Sequence, residues 1–173
     1  MKNKNIVEAI LESINDRYSK KIDKFKSLSS FKEIDEDMIV ELIDGIGSDA
    51  YDFDDEEAFE DLSAKIKDWA SLPNPVKLYR VVGVEDAKMI RTDDLGRHWT
   101  QYDWNLDGDL LGSIGVDDWD DDVIPYVVEA YVDVSEIDVL QTIVQNLHYP
   151  NEHEITLKNN GKNAKFITAY ELD

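Results

Sequence analysis

The sequence predicts an α+β protein in which helices precede a mostly antiparallel β core. Up to residue 72 the apolar residues recur with helical spacing, and after residue 75 they alternate with polar ones, as strands require. Between the two patterns, Pro73-Asn74-Pro75 stops a helix, because proline lacks the backbone N–H that a helix uses. We therefore expect a helical N-terminal region over residues 1–72 and a β-rich core over residues 73–173.

Length and composition are typical of one folded domain. The chain has 173 residues, of which 42% are hydrophobic and 10% aromatic, enough to bury a sizeable core. It has no apolar run long enough to span a bilayer and no signal-peptide block near Met1. It also lacks cysteine, which excludes disulfides and thiolate chemistry. The sequence thus predicts a cytoplasmic protein.

The charge is strongly acidic: 39 Asp and Glu face 18 Lys and Arg, for a formal net charge of -21. No Lys or Arg occurs between Lys32 and Lys65, or between Arg97 and Lys158. A field of this sign repels nucleic acid and anionic membranes, so we expect no direct binding to either. The acidic surface favours solubility, or it binds a basic partner or imitates DNA.

Three helices are expected in the N-terminal region. Apolar residues recur at helical spacing over residues 3–26. Ser30 and Glu33 are spaced like a capping box for the second helix. Asp54 or Asp55 can cap the third, whose acids crowd the first turn as the helix dipole favours.

The core pattern predicts five strands and two short helices. The strands are expected at residues 76–82, 97–101, 126–134, 151–157 and 165–172, and the helices at residues 84–90 and after Asp138. Asn159-Asn160-Gly161 lies between the last two strands and is typical of a tight turn. We therefore expect the last two strands to form a hairpin.

Two carboxylates lie close together in the predicted strand 151–157. Strand alternation places Glu152, Glu154 and Thr156 on one face, with apolar residues on the other. Like charges this close disfavour each other's ionised form, so a purely structural strand has little reason to keep both. The alternative is a solvated edge, where acids discourage pairing with another chain.

Arg80 occupies a position where the alternation of the first strand calls for an apolar residue. It shares its face with Val76, Leu78 and Val82. A charged side chain on a buried face is rare unless it is paired or binds a ligand. Its planar guanidinium suits a phosphate or a carboxylate. The alternative is an arginine paired with a buried acid from elsewhere in the fold.

Residues 103–108 match the beginning of a calcium-binding EF-hand loop, D-x-N-x-D-G. The twelfth position should be a bidentate Glu, but it is Ile114. The flanking pattern does not predict a pair of helices either. An acidic surface loop, continued by Asp117 to Asp122, is therefore favoured, and we predict no metal site. A calcium-responsive acidic domain is the weaker alternative.

Three features in order resemble the ADP-ribosyltransferase-like proteins of phages and bacteria. They are Arg80 in the first core strand, the short polar strand His98-Trp99-Thr100, and Glu152-x-Glu154 ahead of a turn. The resemblance covers residues 75–173 and implies a split β core after an N-terminal helical region. The family's middle strand carries Ser-Thr-Ser, and here Thr100 alone can supply such a hydroxyl.

The resemblance implies an enzyme that uses NAD. Glu154 would hold the ribose 2′-hydroxyl and the positive charge that develops there, and Glu152 would orient or deprotonate the acceptor. Arg80 would engage the phosphates of NAD, with Thr100 and His98 supporting the same cofactor site. The implied function is NAD-dependent mono-ADP-ribosyl transfer to a basic protein, often to arginine. A phage-encoded enzyme would act on a host target in the host cytoplasm.

The second hypothesis is a non-catalytic protein with the same fold. In it, the acidic surface of a non-catalytic protein blocks a basic or nucleic-acid-binding partner. The two hypotheses differ at Glu154, because only the enzyme needs that carboxylate.

Overall fold

The computed structural model describes residues 22–46, 55–103 and 122–172. The three α-helices of these segments are α1 (Glu36–Ile46), α2 (Asp55–Ala70) and α3 (Val139–His148). The five strands are β1 (Val76–Val84), β2 (His98–Thr100), β3 (Ile124–Val132), β4 (Glu154–Thr156) and β5 (Lys165–Glu171).

The five strands form one antiparallel sheet in the order β4-β2-β1-β3-β5. β1 and β3 pair along their whole length, from Val76 opposite Val132 to Val84 opposite Ile124. β1 and β2 are paired only at Tyr79 and Thr100, so the two halves of the sheet meet at a narrow junction. This antiparallel sheet, preceded by helices, confirms the expected α+β class. The finer expectation of an ADP-ribosyltransferase-like split core stays a prediction.

The helices cover one face of the sheet. Buried residues of α1, α2 and α3 join one hydrophobic cluster with Leu78, Trp99, Val128 and Ile155 of four strands. Trp99 is therefore a core residue, and His98 and Thr100 point to the other face, as expected from alternation. A second, smaller cluster around Val127 lies on that other face.

The helix starts differ in part from the expected ones. Ser30 caps a 3₁₀ turn, Phe31–Glu33, by accepting from Lys32 N. Asp35 instead accepts from Met38 N at the start of α1, so the expected capping box is wrong by one turn. α2, Asp55–Ala70, lies where the third helix was expected, and its cap stays a prediction.

The expected strand over residues 151–157 is only partly confirmed. Pro150–Glu152 form a 3₁₀ turn, and His153 adopts a left-handed conformation with φ 46°. Only Glu154–Thr156 are a strand. Glu152 therefore does not share a strand face with Glu154, which corrects the prediction. Proline, with its fixed φ, favours the first position of the turn, and strand alternation cannot reveal this.

The predicted hairpin of the last two strands is wrong. Asn159 and Asn160 do adopt positive φ, as in a tight turn. However, β4 pairs with β2 and β5 pairs with β3, so the two strands are opposite edges of the sheet. After this turn the chain crosses from the β4 edge of the sheet to the opposite edge, where β5 pairs with β3.

Other expectations differ in extent or lie outside the described residues. β1 continues to Val84, and only a 3₁₀ turn, Ala87–Met89, stands where a helix was predicted over residues 84–90. The first expected helix is described only from residue 22 onward. The calcium-like loop is described only at Asp103, and the acidic run 117–122 only at Asp122.

Candidate functional site

β2 and β4 place four polar side chains on one face of the sheet. Thr100 is opposite Glu154 and His98 is opposite Thr156 in the antiparallel ladder. Opposite residues point to the same face, so all four lie together, away from the helices. Thr100, Glu154 and Thr156 are buried there, although strands normally bury apolar residues.

Glu154 is held by its two neighbours on this face. Its Oε1 accepts from Thr156 Oγ1 at 2.7 Å and lies 2.5 Å from His98 Nδ1. An ionised carboxylate can only accept, so Nδ1 carries the proton whenever Glu154 is charged. The side chain of Glu154 is 11% exposed and that of His98 is 48% exposed. His98 therefore lies between a buried carboxylate and solvent.

Side chains of α3 close the outer edge of β4. Asn146 Nδ2 donates to the backbone oxygen of Glu154 at 2.7 Å, and Thr156 N donates to Thr142 Oγ1 at 3.0 Å. Asp138 N adds a bond of 2.8 Å to Thr156 O. These contacts satisfy the exposed backbone groups of an edge strand and fix the position of Glu154.

Glu152 lies in the turn that precedes β4. Lys65 of α2 is buried and donates to Pro150 O at 2.5 Å, which ties this turn to the helices. Burial raises the pKa of Glu152, the charge of Glu154 raises it further, and His98 opposes both effects. Glu152 is thus near both Glu154 and His98, although it is not on their strand.

A pocket of about 450 Å³ lies where β1 and β2 separate beyond their single pair. Val82 and Val84 of β1 form one wall, and Arg97 and His98 form part of the other. Three of the four arginines of this acidic chain line it, namely Arg80, Arg91 and Arg97. We call it the arginine pocket. Its volume is within the range of small-molecule sites, roughly 300–1,000 Å³.

The arginines of this pocket are not equally paired. Arg91 lies 3.5 Å from Asp93 and 3.9 Å from Asp94. Among the described residues, no carboxylate lies within ion-pairing distance of Arg80 or Arg97. Arg80 Nη1 and Arg97 Nε are also buried without a hydrogen-bond partner in these segments. Such unsatisfied buried donors are unfavourable and are rare without a functional reason.

Burial lowers the pKa of Arg80, and the charges of Glu154 and Asp94 partly oppose this effect. The two carboxylates therefore act on the guanidinium through space. Asp94 is already bonded, since it accepts from Asn160 Nδ2 at 2.7 Å. The predicted alternative, a buried acid paired directly with Arg80, is not found among the described residues.

Gly96 makes room for the Arg80 guanidinium. A Cβ at this position would overlap Nη1 and lie 2.7 Å from Cζ. Gly96 also has φ +82°, a conformation that other residues rarely adopt. Its backbone oxygen accepts from Trp99 Nε1 at 2.9 Å, which anchors the loop to the core.

The structure brings together part of the predicted site. Arg80 and His98 line one pocket, and His98 bonds to Glu154. Thr100, Glu154 and Glu152 do not line the pocket. Thr100 and Glu154 are opposite each other in the ladder, and alternation points both away from the face of Arg80. The role of each residue toward NAD stays a prediction.

Arg91 and Arg97 are pocket residues that were not among the site residues predicted from the sequence. The available signal was their rarity: the chain has four arginines, and these two are six positions apart between the predicted helix 84–90 and the start of the predicted strand 97–101. Arginine next to a short strand gives no indication of a pocket by itself. Only the separation of β1 from β2 brings them to Arg80.

Comparison with known proteins identified no matching family model, no curated protein and no solved structure. Among residues 22–46, 55–103 and 122–172, no helix is long and apolar enough to cross a membrane. The same residues contain no group of three His, Asp or Glu placed to hold a metal ion.

Proposed function

We propose that this protein is an NAD-dependent mono-ADP-ribosyltransferase that modifies a basic protein. The observation that carries the proposal is the arginine pocket, in which Arg80 and Arg97 have no carboxylate partner among the described residues. In a chain with 39 acids, such arginines are suited to an anion from outside the protein. NAD bears a pyrophosphate, an anion that the guanidinium groups lining this pocket are suited to bind.

NAD would supply the ADP-ribosyl group, with nicotinamide as the leaving group. Glu154 would stabilise the positive charge that develops on the ribose. Its bonds to Thr156 and His98 hold the carboxylate in one orientation before the reaction. This preorganisation supports an electrostatic role, because no reorientation is then needed during the reaction.

Glu152 would accept a proton from the acceptor side chain. Its raised pKa makes it a stronger base than an ordinary surface glutamate. The acidic surface of the chain would attract a cationic acceptor such as a protein arginine. The same net charge opposes the approach of NAD, and the arginine pocket offsets it locally.

Glu154→Gln tests the enzyme hypothesis, with labelled NAD and a lysate of basic proteins as the acceptor source. The substitution keeps size and hydrogen bonding but removes the charge, so we expect activity to fall about a hundredfold to a thousandfold. Glu152→Gln should reduce transfer more than NAD hydrolysis, because its proposed role involves the acceptor.

Glu129→Gln is the matched control. The Glu129 side chain is 12% exposed, a fraction similar to the 11% of Glu154. Glu129 lies on the same face of the sheet as Glu154, opposite Tyr79 in the β1–β3 ladder. It pairs with Lys77 at 2.6 Å and does not line the arginine pocket. Equal activity of wild type, Glu154→Gln and Glu129→Gln would end the transferase proposal.

A non-catalytic acidic binder is the second candidate. It is favoured by the net charge of -21 and by the absence of Lys and Arg from residues 33–64 and 98–157. This function predicts full biological effect in Glu154→Gln, and loss of the effect when Asp117 to Asp122 are neutralised.

A further inference from the structure

We propose that Asn160 deamidates spontaneously, and that its product separates the turn Lys158–Gly161 from the wall of the arginine pocket. The reaction needs only this turn and water, so it is independent of the proposed function. Of the ten asparagines in the chain, Asn160 alone precedes a glycine. Glycine has no side chain to hinder its backbone nitrogen, which is the attacking atom in deamidation.

The fold requires glycine at position 161. Gly161 has φ +67°, a conformation that residues with a side chain rarely adopt. It is also buried, and a Cβ at this position would overlap Gly96 O. A larger residue, which would slow the reaction, therefore does not fit here.

The turn also favours asparagine at position 160. Asn160 has φ 57°, in the left-handed region where asparagine is enriched over other residues. Its side chain is exposed, so water reaches the amide. The local backbone conformation thus selects the most reactive pair of neighbours, asparagine followed by glycine.

The reaction proceeds through a cyclic imide. The backbone nitrogen of Gly161 forms a bond to Cγ of Asn160, while the bond from Cγ to Nδ2 breaks. Nδ2 leaves as ammonia with the proton of the attacking N–H, and a succinimide ring remains. Water then adds to either ring carbonyl and reopens the ring to aspartate or isoaspartate. The net change consumes water, releases ammonia and adds a negative charge.

The aspartate product cannot keep the contact that Asn160 makes at the pocket. Asn160 Nδ2 donates to Asp94 Oδ1 at 2.7 Å, and both residues line the arginine pocket. An ionised carboxylate can only accept, so the product loses this bond and places two like charges side by side. We therefore expect the turn to move away from Asp94.

The isoaspartate product breaks a second contact. It adds a carbon atom to the main chain between residues 160 and 161. Because Gly161 already packs too closely on Gly96 to accept a Cβ, the contact leaves no room for a longer chain. Both products thus separate the turn from the loop that carries Arg97.

The first test is incubation of the full chain in mildly alkaline buffer, followed by peptide mass spectrometry. Deamidation raises the mass by about one dalton, and fragment masses locate the modified residue. We expect Asn160 to react at least about tenfold faster than Asn159 and Asn163, which are exposed but do not precede glycine. Equal rates at the three asparagines would overturn the proposal.

Asn160→Gln and Asn160→Asp separate the reaction from its effect. Asn160→Gln keeps the amide but needs a larger ring to cyclise, so we expect no mass increase at this position. Asn160→Asp reproduces the aspartate product without incubation. The Leu157 amide, which donates to Arg97 O at 2.7 Å, reports on the contact between turn and loop by hydrogen exchange.

We expect the Leu157 amide to exchange at least about tenfold faster in Asn160→Asp and in incubated wild type than in fresh wild type. Asn159→Asp is the matched control, because it adds the same charge to the same turn while Asn160 keeps its bond to Asp94. It should leave this amide protected. Equal exchange in Asn159→Asp and Asn160→Asp would overturn the proposed separation of the turn. Neither measurement involves NAD, so failure of the transferase proposal would not alter the result.

Discussion

The sheet has two halves that are held together by different means. In the long-strand half, β1, β3 and β5 form extended backbone ladders, with β1 and β3 paired from Val76 to Val84. In the short-strand half, β2 and β4 pair over three residues only. The two halves meet at the single pair of Tyr79 and Thr100.

The short-strand half makes up for its few ladder bonds with buried polar side chains. Thr142 and Asn146 of α3 bond to the backbone of β4, and Lys65 bonds to the turn before it. The candidate site is in this half, where Glu154, Thr156 and His98 bond to one another. The site is therefore positioned by individual polar contacts, so single substitutions should disturb it more than they disturb the long-strand half.

The largest effect on stability is expected for Asn146→Leu. Asn146 Nδ2 donates to Thr142 O at 2.8 Å and to Glu154 O at 2.7 Å, and both bonds are buried. Leaving a buried acceptor unsatisfied costs about 1–3 kcal/mol, which urea unfolding would measure. The control is Asn163→Leu, an exposed amide bonded to Glu136. Equal losses of unfolding free energy in Asn146→Leu and Asn163→Leu would contradict the view that buried polar contacts hold the short-strand half together.

A smaller effect is expected for Thr142→Val. The buried N–H of Thr156 loses one acceptor, at a cost of about 1 kcal/mol. Thr168→Val, on exposed β5 of the long-strand half, should change the free energy of unfolding by less than about 0.5 kcal/mol. Hydrogen exchange would sharpen the result, because the Thr156 amide should lose protection while the β1–β3 amides keep theirs.

The smallest effect is expected for Glu152→Gln and depends on pH. Because the pKa of Glu152 is raised in the folded state, its contribution to stability is fully present below the unfolded pKa. It is lost as pH rises through the folded pKa. Glu152→Gln should therefore be slightly more stable than wild type at neutral pH, and the two should converge in acid.

Unfolding free energies of both proteins between pH 4 and pH 7 would measure this difference. Exposed Glu171→Gln in the long-strand half is the matched control. A stability difference between Glu152→Gln and wild type that does not change with pH would contradict the cause that we assign to the raised pKa.

Local sequence patterns predicted the elements that periodicity specifies. The apolar spacing of α2 and the alternation of β1, β3 and β5 indicated each element within a few residues. Strand order was not predictable, because it depends on pairing between distant segments. The hairpin prediction failed for this reason: turn residues at Asn159 and Asn160 indicate a turn but not the next strand's partner.

The candidate site was predictable where a residue violates its local pattern. Arg80 in an apolar register and Glu154 in a short strand were both visible in the sequence. Arg97 was not, because it is the end residue of a short predicted strand and becomes relevant only where β1 and β2 separate. The turn at Glu152 was also missed. The sequence alternates through residues 151–157 as a strand does, but the left-handed conformation of His153 interrupts the strand.

The strand order has a consequence for how the chain acquires its structure. From β3 onward, each strand pairs with the strand two before it, so the sheet cannot grow by adding hairpins. Pairings of this kind close large loops, and proteins rich in them fold slowly. The arginine pocket includes Asn160 as well as Arg80, so its wall is complete only after the turn that follows β4 has formed. During synthesis, a nascent chain that ends before residue 160 would therefore have the arginines but not the finished pocket.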